Sequence, residues 1–286
     1  MRNEFMEFDW KSRQNQDGGW GYRSGERGGA SSTEATALVL LARQSAAGGN
    51  PGFASAARFL RTQSRPDGGW RPQPNVDEST WVTSLVALLP AQTIGADALG
   101  NAIEWLKSQT GQESGWRYRL QQRLAGNKDS FPEAWAWFPG AAAWATPTTM
   151  GILAFQKALK RKDDAELRRR TDSAREFLLG RQCADGGWNH GSNRALGRDG
   201  DSYPETTGQT LLAFAGAGQT AALKKAMGAA QKHLATCRTA EGVSWLRMGL
   251  AAHGVRAIPQ ATLKSRNNMD AALVQLAELE RNPLLA

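Results

Sequence analysis

Cysteine is nearly absent: the 286-residue chain has two, Cys183 and Cys237, so no disulfide framework can form and buried free thiols are expected. Histidine is almost as scarce. His190, His233 and His253 are the full set; His233 and Cys237 are four apart on one helix and Cys183 and His190 seven apart across a glycine turn, neither of them a zinc spacing. No metal or other cofactor is expected. No glycine-rich loop ends in Lys-Ser or Lys-Thr, which argues against nucleotide-dependent chemistry. No run of about eighteen apolar residues could span a bilayer, and the opening MRNEFMEFDW places acids where a secretory leader needs an apolar stretch. A cytoplasmic protein is expected. No segment alternates with the period of a strand, and no Pro-rich linker divides the chain, so one all-α domain over 1–286 is expected.

The excess of basic residues excludes less than it suggests. Net charge is +8 with a pI near 9.8, but the cations are spread over helices and loops without a nucleic-acid-binding motif, so no nucleic-acid partner is expected. The densest run, KRKDDAELRRR at 160–170, reads as a solvated connection and helix start. A second reading gives it peripheral contact with an anionic membrane surface or a pyrophosphate-bearing lipid.

What the chain has is a repeat. Asp-Gly-Gly-Trp occurs three times, ending at Trp20, Trp70 and Trp188; Glu-Ser-Gly-Trp ends at Trp116 and Glu-Gly-Val-Ser-Trp at Trp245. Before these copies apolar residues recur at helical spacing, as in Ala56, Phe59 and Leu60, or Ala174, Phe177 and Leu178. The Asp-Gly pair then supplies a helix stop, because Asp bonds backbone ahead of it and Gly tolerates positive φ. After each Trp comes a polar stretch and an oilier helix: 33–44, 79–89, 147–159 and 204–218. Several of these open on Ser, Thr, Asp or Pro with Glu close behind, the composition of an N-cap and first turn. The result is five hairpins and a final helix over 268–281, each hairpin pairing a charged helix with an apolar one that stacks inward.

The tryptophans divide by register. Trp20, Trp70, Trp116, Trp188 and Trp245 hold the repeat position and are expected to pack between hairpins. Trp81, Trp135, Trp137, Phe138 and Trp144 fall outside it; the last four lie in or at the end of an insertion over 117–144. Aromatic faces there could shape an apolar pocket and stabilise a cation, or simply cap the end of the stack.

The repeat Phe/Trp-Leu-x-x-Gln-x-x-x-Gly-Gly-Trp resembles the QW repeat of squalene and oxidosqualene cyclases. The segment WAWFPGAAAWATPTTMGIL, Trp135 to Leu153, is similar to a stretch of bacterial prenyltransferase and squalene-oxidase repeat proteins. The resemblance implies an α/α toroid of about five to six hairpins, with an inner ring of helices around a cavity and an outer ring around that. It implies acid-initiated cyclisation of a polyprenyl or terpenoid chain, as in class II terpene cyclases, with an apolar isoprenoid as the bound partner. The proton donor of those enzymes lies in an Asp-x-Asp-Asp string at the start of an inner helix. Here the closest text is Asn75-Val76-Asp77-Glu78, which aligns Asp77 with the donor and puts Glu78 in the last place, while alignment on the downstream helix places Ser79 there instead. A second cluster, Asp201 and Glu205 around Tyr203-Pro204, resembles the Tyr-Pro that precedes the cyclase string. The candidate catalytic residues are therefore Asp77, Glu78, Glu205 and Asp201, and the candidate substrate-binding residues Trp81, Trp135, Trp137, Phe138, Trp144 and Tyr203.

Glu34 and Glu205 recur at one helix-opening position, where acids also complement the helix dipole without chemistry. Other readings stay open: a non-catalytic toroid that binds an isoprenoid lipid or a partner protein, and a glycan-active toroid, which would need two well-placed carboxylates. Zinc-dependent prenyl transfer lacks its Asp, Cys and His set. Nothing in the pattern specifies an oligomer.

Overall fold

The structure is a computed structural model that describes residues 8–23, 29–44, 53–125, 132–195, 197–256, 265 and 267–285. Six helices form an inner ring: α1 (Thr33–Gln44), α3 (Val82–Ala87), α7 (Ala145–Leu159), α9 (Pro204–Ala213), α11 (Ala240–Ala251) and α12 (Asn268–Glu278). Each packs on the next in that order, and α12 packs back on α1, so the ring is closed. Outside it stand α2 (Ala54–Thr62), α5 (Ala96–Ser108), α8 (Ala165–Gly180) and α10 (Ala221–Thr236), with the short α4 (Ala91–Ile94) between α2 and α5 and α6 (Trp116–Leu124) in the insertion. This is the α/α toroid that the resemblance to cyclase repeats implies, built from the stacked hairpins that the alternation of charged and oily helices predicts. Among the described residues, strand is confined to a two-residue ladder, Arg194–Ala195 with Arg198–Asp199, inside the loop before α9.

Burial follows composition. The outer α2 buries Ala56, Phe59 and Leu60, one stripe at i, i+3 and i+4, whereas α7 is buried without a break from Ala145 to Phe155. Two inner helices meet backbone to backbone. A Cβ on Gly208 of α9 would lie 2.3 Å from the carbonyl carbon of Trp245, and one on Gly249 of α11 would lie 2.3 Å from the Gly208 oxygen.

The repeat turn shows why Asp, Gly, Gly and Trp occur in that order. Asp67 accepts from the Gly69 amide (3.0 Å) and from the Ser79 hydroxyl (2.7 Å), tying the end of an outer helix to the approach to the next inner one. Gly68 sits at φ +90°, with the Asn101 carbonyl 2.8 Å from where a Cβ would stand. The Trp70 amide donates to Thr83 Oγ1 (2.9 Å), and its indole N–H reaches back ten residues to the Leu60 carbonyl (2.8 Å). Trp20 repeats the pattern with Thr36 and the Trp10 carbonyl, and Trp188 repeats it with Thr207 and the Leu178 carbonyl. Each indole is fully buried with its one donor satisfied.

The third repeat departs from its text. Its indole donor is Trp135, whose amide bonds Thr148 Oγ1 (3.1 Å) and whose ring N–H reaches the Leu106 carbonyl 29 residues back. Trp116, which has the expected spacing, instead opens α6 inside the insertion; its side chain is outside the described ones. Glu113 takes the role of the turn Asp by accepting from the Ala143 amide. Arg170, buried on α8, holds the arrangement by pairing with Glu133 (3.1 Å), donating to the Lys107 and Gln109 carbonyls, and lying over the Trp135 ring (4.8 Å).

Ends of the chain close the ring. Trp10 donates to Gln275 of α12 (3.2 Å), and Asn268 at the start of α12 donates to the Gly21 carbonyl (2.9 Å). At the C-terminal ends of the inner helices, Lys157 bonds the Leu88 and Pro283 carbonyls, and Leu284 is buried beneath them. Burial there lowers the Lys157 ammonium to a pKa of about 8.

Candidate functional site

A cavity lies on the ring axis, and every inner helix contributes to its wall two residues one turn apart: Glu34 and Leu38, Trp81 and Leu85, Thr146 and Met150, Glu205 and Gln209, Glu241 and Trp245, Met269 and Leu273. Trp81 stands just ahead of α3, whose first residue is Val82. Trp137 and His190 reach in from loops, and the cavity volume is about 110 Å³. The pairing makes two layers. The outer layer, in the first turns, holds three glutamates; the inner layer is Leu38, Leu85, Met150, Trp245 and Leu273 with one polar member, Gln209.

The register of the outer layer is set by the repeat turn. The Thr that accepts the Trp amide is two residues past the cavity position, so Thr36, Thr83, Thr148 and Thr207 place Glu34, Trp81, Thr146 and Glu205 on the axis. Asp77 and Glu78 precede this position by four and three residues. Asp77 projects into solvent, its side chain 88% exposed, and pairs with Arg65, which holds its carboxyl below the ordinary value. Glu78 and Asp201 are also exposed. Of the four acids picked out from sequence, the cavity gathers Glu205 alone.

The acids that join Glu205 are Glu34 and Glu241. Glu34 accepts a short hydrogen bond from the Tyr22 hydroxyl (2.5 Å), and burial pushes its pKa upward. Glu241 is pushed up to about 7, first by burial and then by the negative charges of Glu205, Glu34 and Asp270. At neutral pH this group keeps a proton about half the time. His190 lies at the mouth with Nε2 3.9 Å from Glu205 Oε1 and Nδ1 3.4 Å from the Thr206 hydroxyl. On the same lining, Trp81 meets Trp137 edge to face (5.0 Å between ring centres), and the Trp81 amide donates to the Trp137 carbonyl.

The remaining aromatic candidates separate. Trp135 is a repeat indole buried away from the axis, while Phe138 (51% exposed), Trp144 (37%) and Tyr203 (43%) stand on the rim surface. Trp245 reverses the expectation. The text before it reads as a repeat turn, yet Ala240–Ala251 is one uninterrupted inner helix capped by the Thr239 hydroxyl, and the Trp245 ring faces the cavity. Glu34, Glu241, Gln209 and His190 were not selected by sequence; for Glu34 and Gln209 the signal was present, as the cavity register counted from the repeat Thr.

A second polar cluster resembles a catalytic one. Ser202 Oγ lies 2.6 Å from His233 Nε2 and 2.6 Å from Asp185 Oδ2. The same Asp–Ser bond ties Asp17 to Ser31 and Asp67 to Ser79, both at 2.7 Å and without a histidine, so it belongs to the turn architecture. Among the described residues no group of three His, Cys, Asp or Glu could hold a metal ion, and no helix is long and apolar enough to cross a membrane.

No family model matches the chain, and no curated protein matches it by sequence. Solved structures do. The type II terpene cyclase MstE from Scytonema, in its apo form, aligns with a TM-score of 0.55 at 18% identity over 95% of this chain and 76% of that one. A variant of the same cyclase holding geranylgeranyl dihydroxybenzoate as substrate aligns at 0.56, again with 18% identity over 95% and 76%. The endo-β-1,4-glucanase CMCax from Acetobacter xylinum aligns at 0.57 with 13% identity over 93% of both chains. The chain has the α/α toroid fold these enzymes share.

Proposed function

We propose that the protein cyclises an apolar isoprenoid or terpenoid chain by acid initiation inside the toroid. The observation that carries this reading is that Glu34, Glu205 and Glu241 line the outer layer of one cavity together with Trp81 and Trp137, above a layer that is mostly hydrocarbon. Burial and neighbouring charge keep Glu241 protonated far above the ordinary carboxylate range, which makes it the proton donor. Its proton passes to an alkene carbon or an epoxide oxygen of the substrate, leaving a carboxylate on the enzyme and a cation on the chain. An internal alkene attacks that cation and closes a ring. The faces of Trp81, Trp137 and Trp245 stabilise the positive charge as it moves, each by about 1–2 kcal/mol once water is excluded. Glu205, beside His190, takes a proton from the final cation, so substrate and product are isomers. Likeness to a terpenoid-binding cyclase supports the reading at the level of fold.

A glycan-active toroid is the second reading, favoured by the near-complete mutual coverage with a glucanase. The Leu and Met floor disfavours it, because a sugar would bring hydroxyls to a surface with few partners for them.

Incubation with squalene, oxidosqualene and geranylgeranyl diphosphate, followed by product analysis, tests the proposal. Glu241→Gln is expected to lower product formation by about 10²–10⁴-fold with folding intact. Tight binding with no product in the unaltered protein would favour a carrier, and release of reducing sugar from a β-glucan would favour the second reading.

A further inference from the structure

Gln209 is the single polar side chain in the deeper layer of the wall, set among Leu38, Leu85, Met150, Trp245 and Leu273. It is 7% exposed, and its Oε1 accepts from the Thr146 hydroxyl at 2.7 Å. That bond orients the amide. The carbonyl turns toward α7 and is engaged there, so the amide nitrogen is the part of Gln209 that can serve a guest in the cavity it lines. An amide at this depth is partly desolvated, whereas a leucine would match its apolar neighbours without that cost. The arrangement suits a guest that brings an acceptor to the foot of the cavity.

The layer above restricts what that acceptor can be. Glu205 stands one turn up the same helix, Glu34 and Glu241 share its level, and among the described residues no Lys or Arg lines the cavity. A diphosphate would enter a ring of three acidic side chains with His190 at the mouth as the one basic group among the described lining residues, and each ionised carboxylate close to it would cost about 1–4 kcal/mol. A neutral oxygen meets no such barrier.

We propose that Gln209 anchors the oxygen of a neutral ligand, an alcohol, epoxide or carbonyl borne on an apolar chain, with Thr146 as the residue that positions the amide. This assignment rests on the isoprenoid reading of the same cavity but concerns binding, so it is tested without turnover. Affinities of the full chain for geranylgeraniol, for the hydrocarbon of the same chain lacking the hydroxyl, and for geranylgeranyl diphosphate are measured by quenching of tryptophan fluorescence. The alcohol is expected to bind at least about tenfold tighter than either of the others. Gln209→Leu is expected to bring the alcohol to the level of the hydrocarbon while leaving hydrocarbon affinity within about twofold, and Thr146→Val to reduce the preference in part, because the freed amide rotates. Equal binding of alcohol and hydrocarbon, tighter binding of the diphosphate, or a preference that survives Gln209→Leu each overturns the anchor and leaves the cyclase reading standing. Failure of all three probes to bind overturns both.

Discussion

The repeat turns and the cavity wall use the same residue types for opposite ends. In the turns, Asp67 and Trp70 are bonded into the fold: the carboxylate by Gly69 and Ser79, the indole by the Leu60 carbonyl, the amide by Thr83. On the wall, Glu241 is buried among other negative charges and Gln209 is set in an apolar layer with its carbonyl engaged by Thr146, while Trp81, Trp137 and Trp245 line open space. Satisfied groups stabilise a fold; unsatisfied ones are tolerated where a ligand completes them. The turn layer holds the ring together, and the wall spends part of that stability to keep a reactive site open.

The largest expected effect separates the two sets of tryptophans. Trp70→Ala removes a fully buried ring and its hydrogen bond to the Leu60 carbonyl, and is expected to destabilise the protein by about 3–5 kcal/mol in denaturant unfolding. Trp245→Ala enlarges a space that already exists and should cost less than half as much, while weakening binding of an apolar ligand. Equal losses would mean that Trp245 is a structural indole after all, as its text suggests.

A smaller loss is expected at the turn carboxylate. Asp67→Ala leaves the Gly69 amide and the Ser79 hydroxyl without their acceptor and should cost about 1–3 kcal/mol, with ligand affinity unchanged. Asp77→Ala, ten residues on, removes only the ion pair of an exposed carboxylate with Arg65 and should leave the unfolding midpoint essentially where the parent has it. A large effect at Asp77 on product formation with none at Glu241 would move the acid back to the string first picked from sequence.

The contrast between turn and wall also explains what the sequence disclosed. The turn is local: Asp, Gly, Gly and Trp sit next to one another, so recurrence made the hairpins and their inward members legible, while closure into a ring came from the resemblance to cyclase repeats. The wall is assembled from six helices far apart in the chain, and its acids share a position only when each helix is counted from its own buried threonine. Glu34 was visible as a recurring first-turn acid but indistinguishable there from a residue that complements a helix dipole. Glu241 was hidden because its helix lacks the Asp-Gly-Gly turn and begins at Thr239 instead. The 29-residue reach from Trp135 to Leu106 could not be read either, since Trp116 has the regular spacing and the insertion displaces its role.

A last effect sharpens the comparison through pH. Glu241 has its pKa raised from the ordinary glutamate value of 4.5 to about 7, so between those values the folded protein binds more protons than the unfolded chain. Stability contributed by the protonated group is therefore full below about pH 4.5, declines as pH rises toward 7, and is gone above that, a change of about 1–3 kcal/mol. Glu34, also raised by burial, adds to the same slope. Glu241→Gln stays neutral throughout, so it should match the parent near pH 4.5, exceed it in stability near pH 8, and show a shallower decline between, with the residual slope belonging to Glu34. Thermal melts at half-unit pH steps check this. A variant less stable than the parent at pH 8 would mean that the Glu241 carboxylate is a satisfied structural group, and the distinction between a turn layer that stabilises and a wall that costs stability would fail at the residue where it is most strongly drawn.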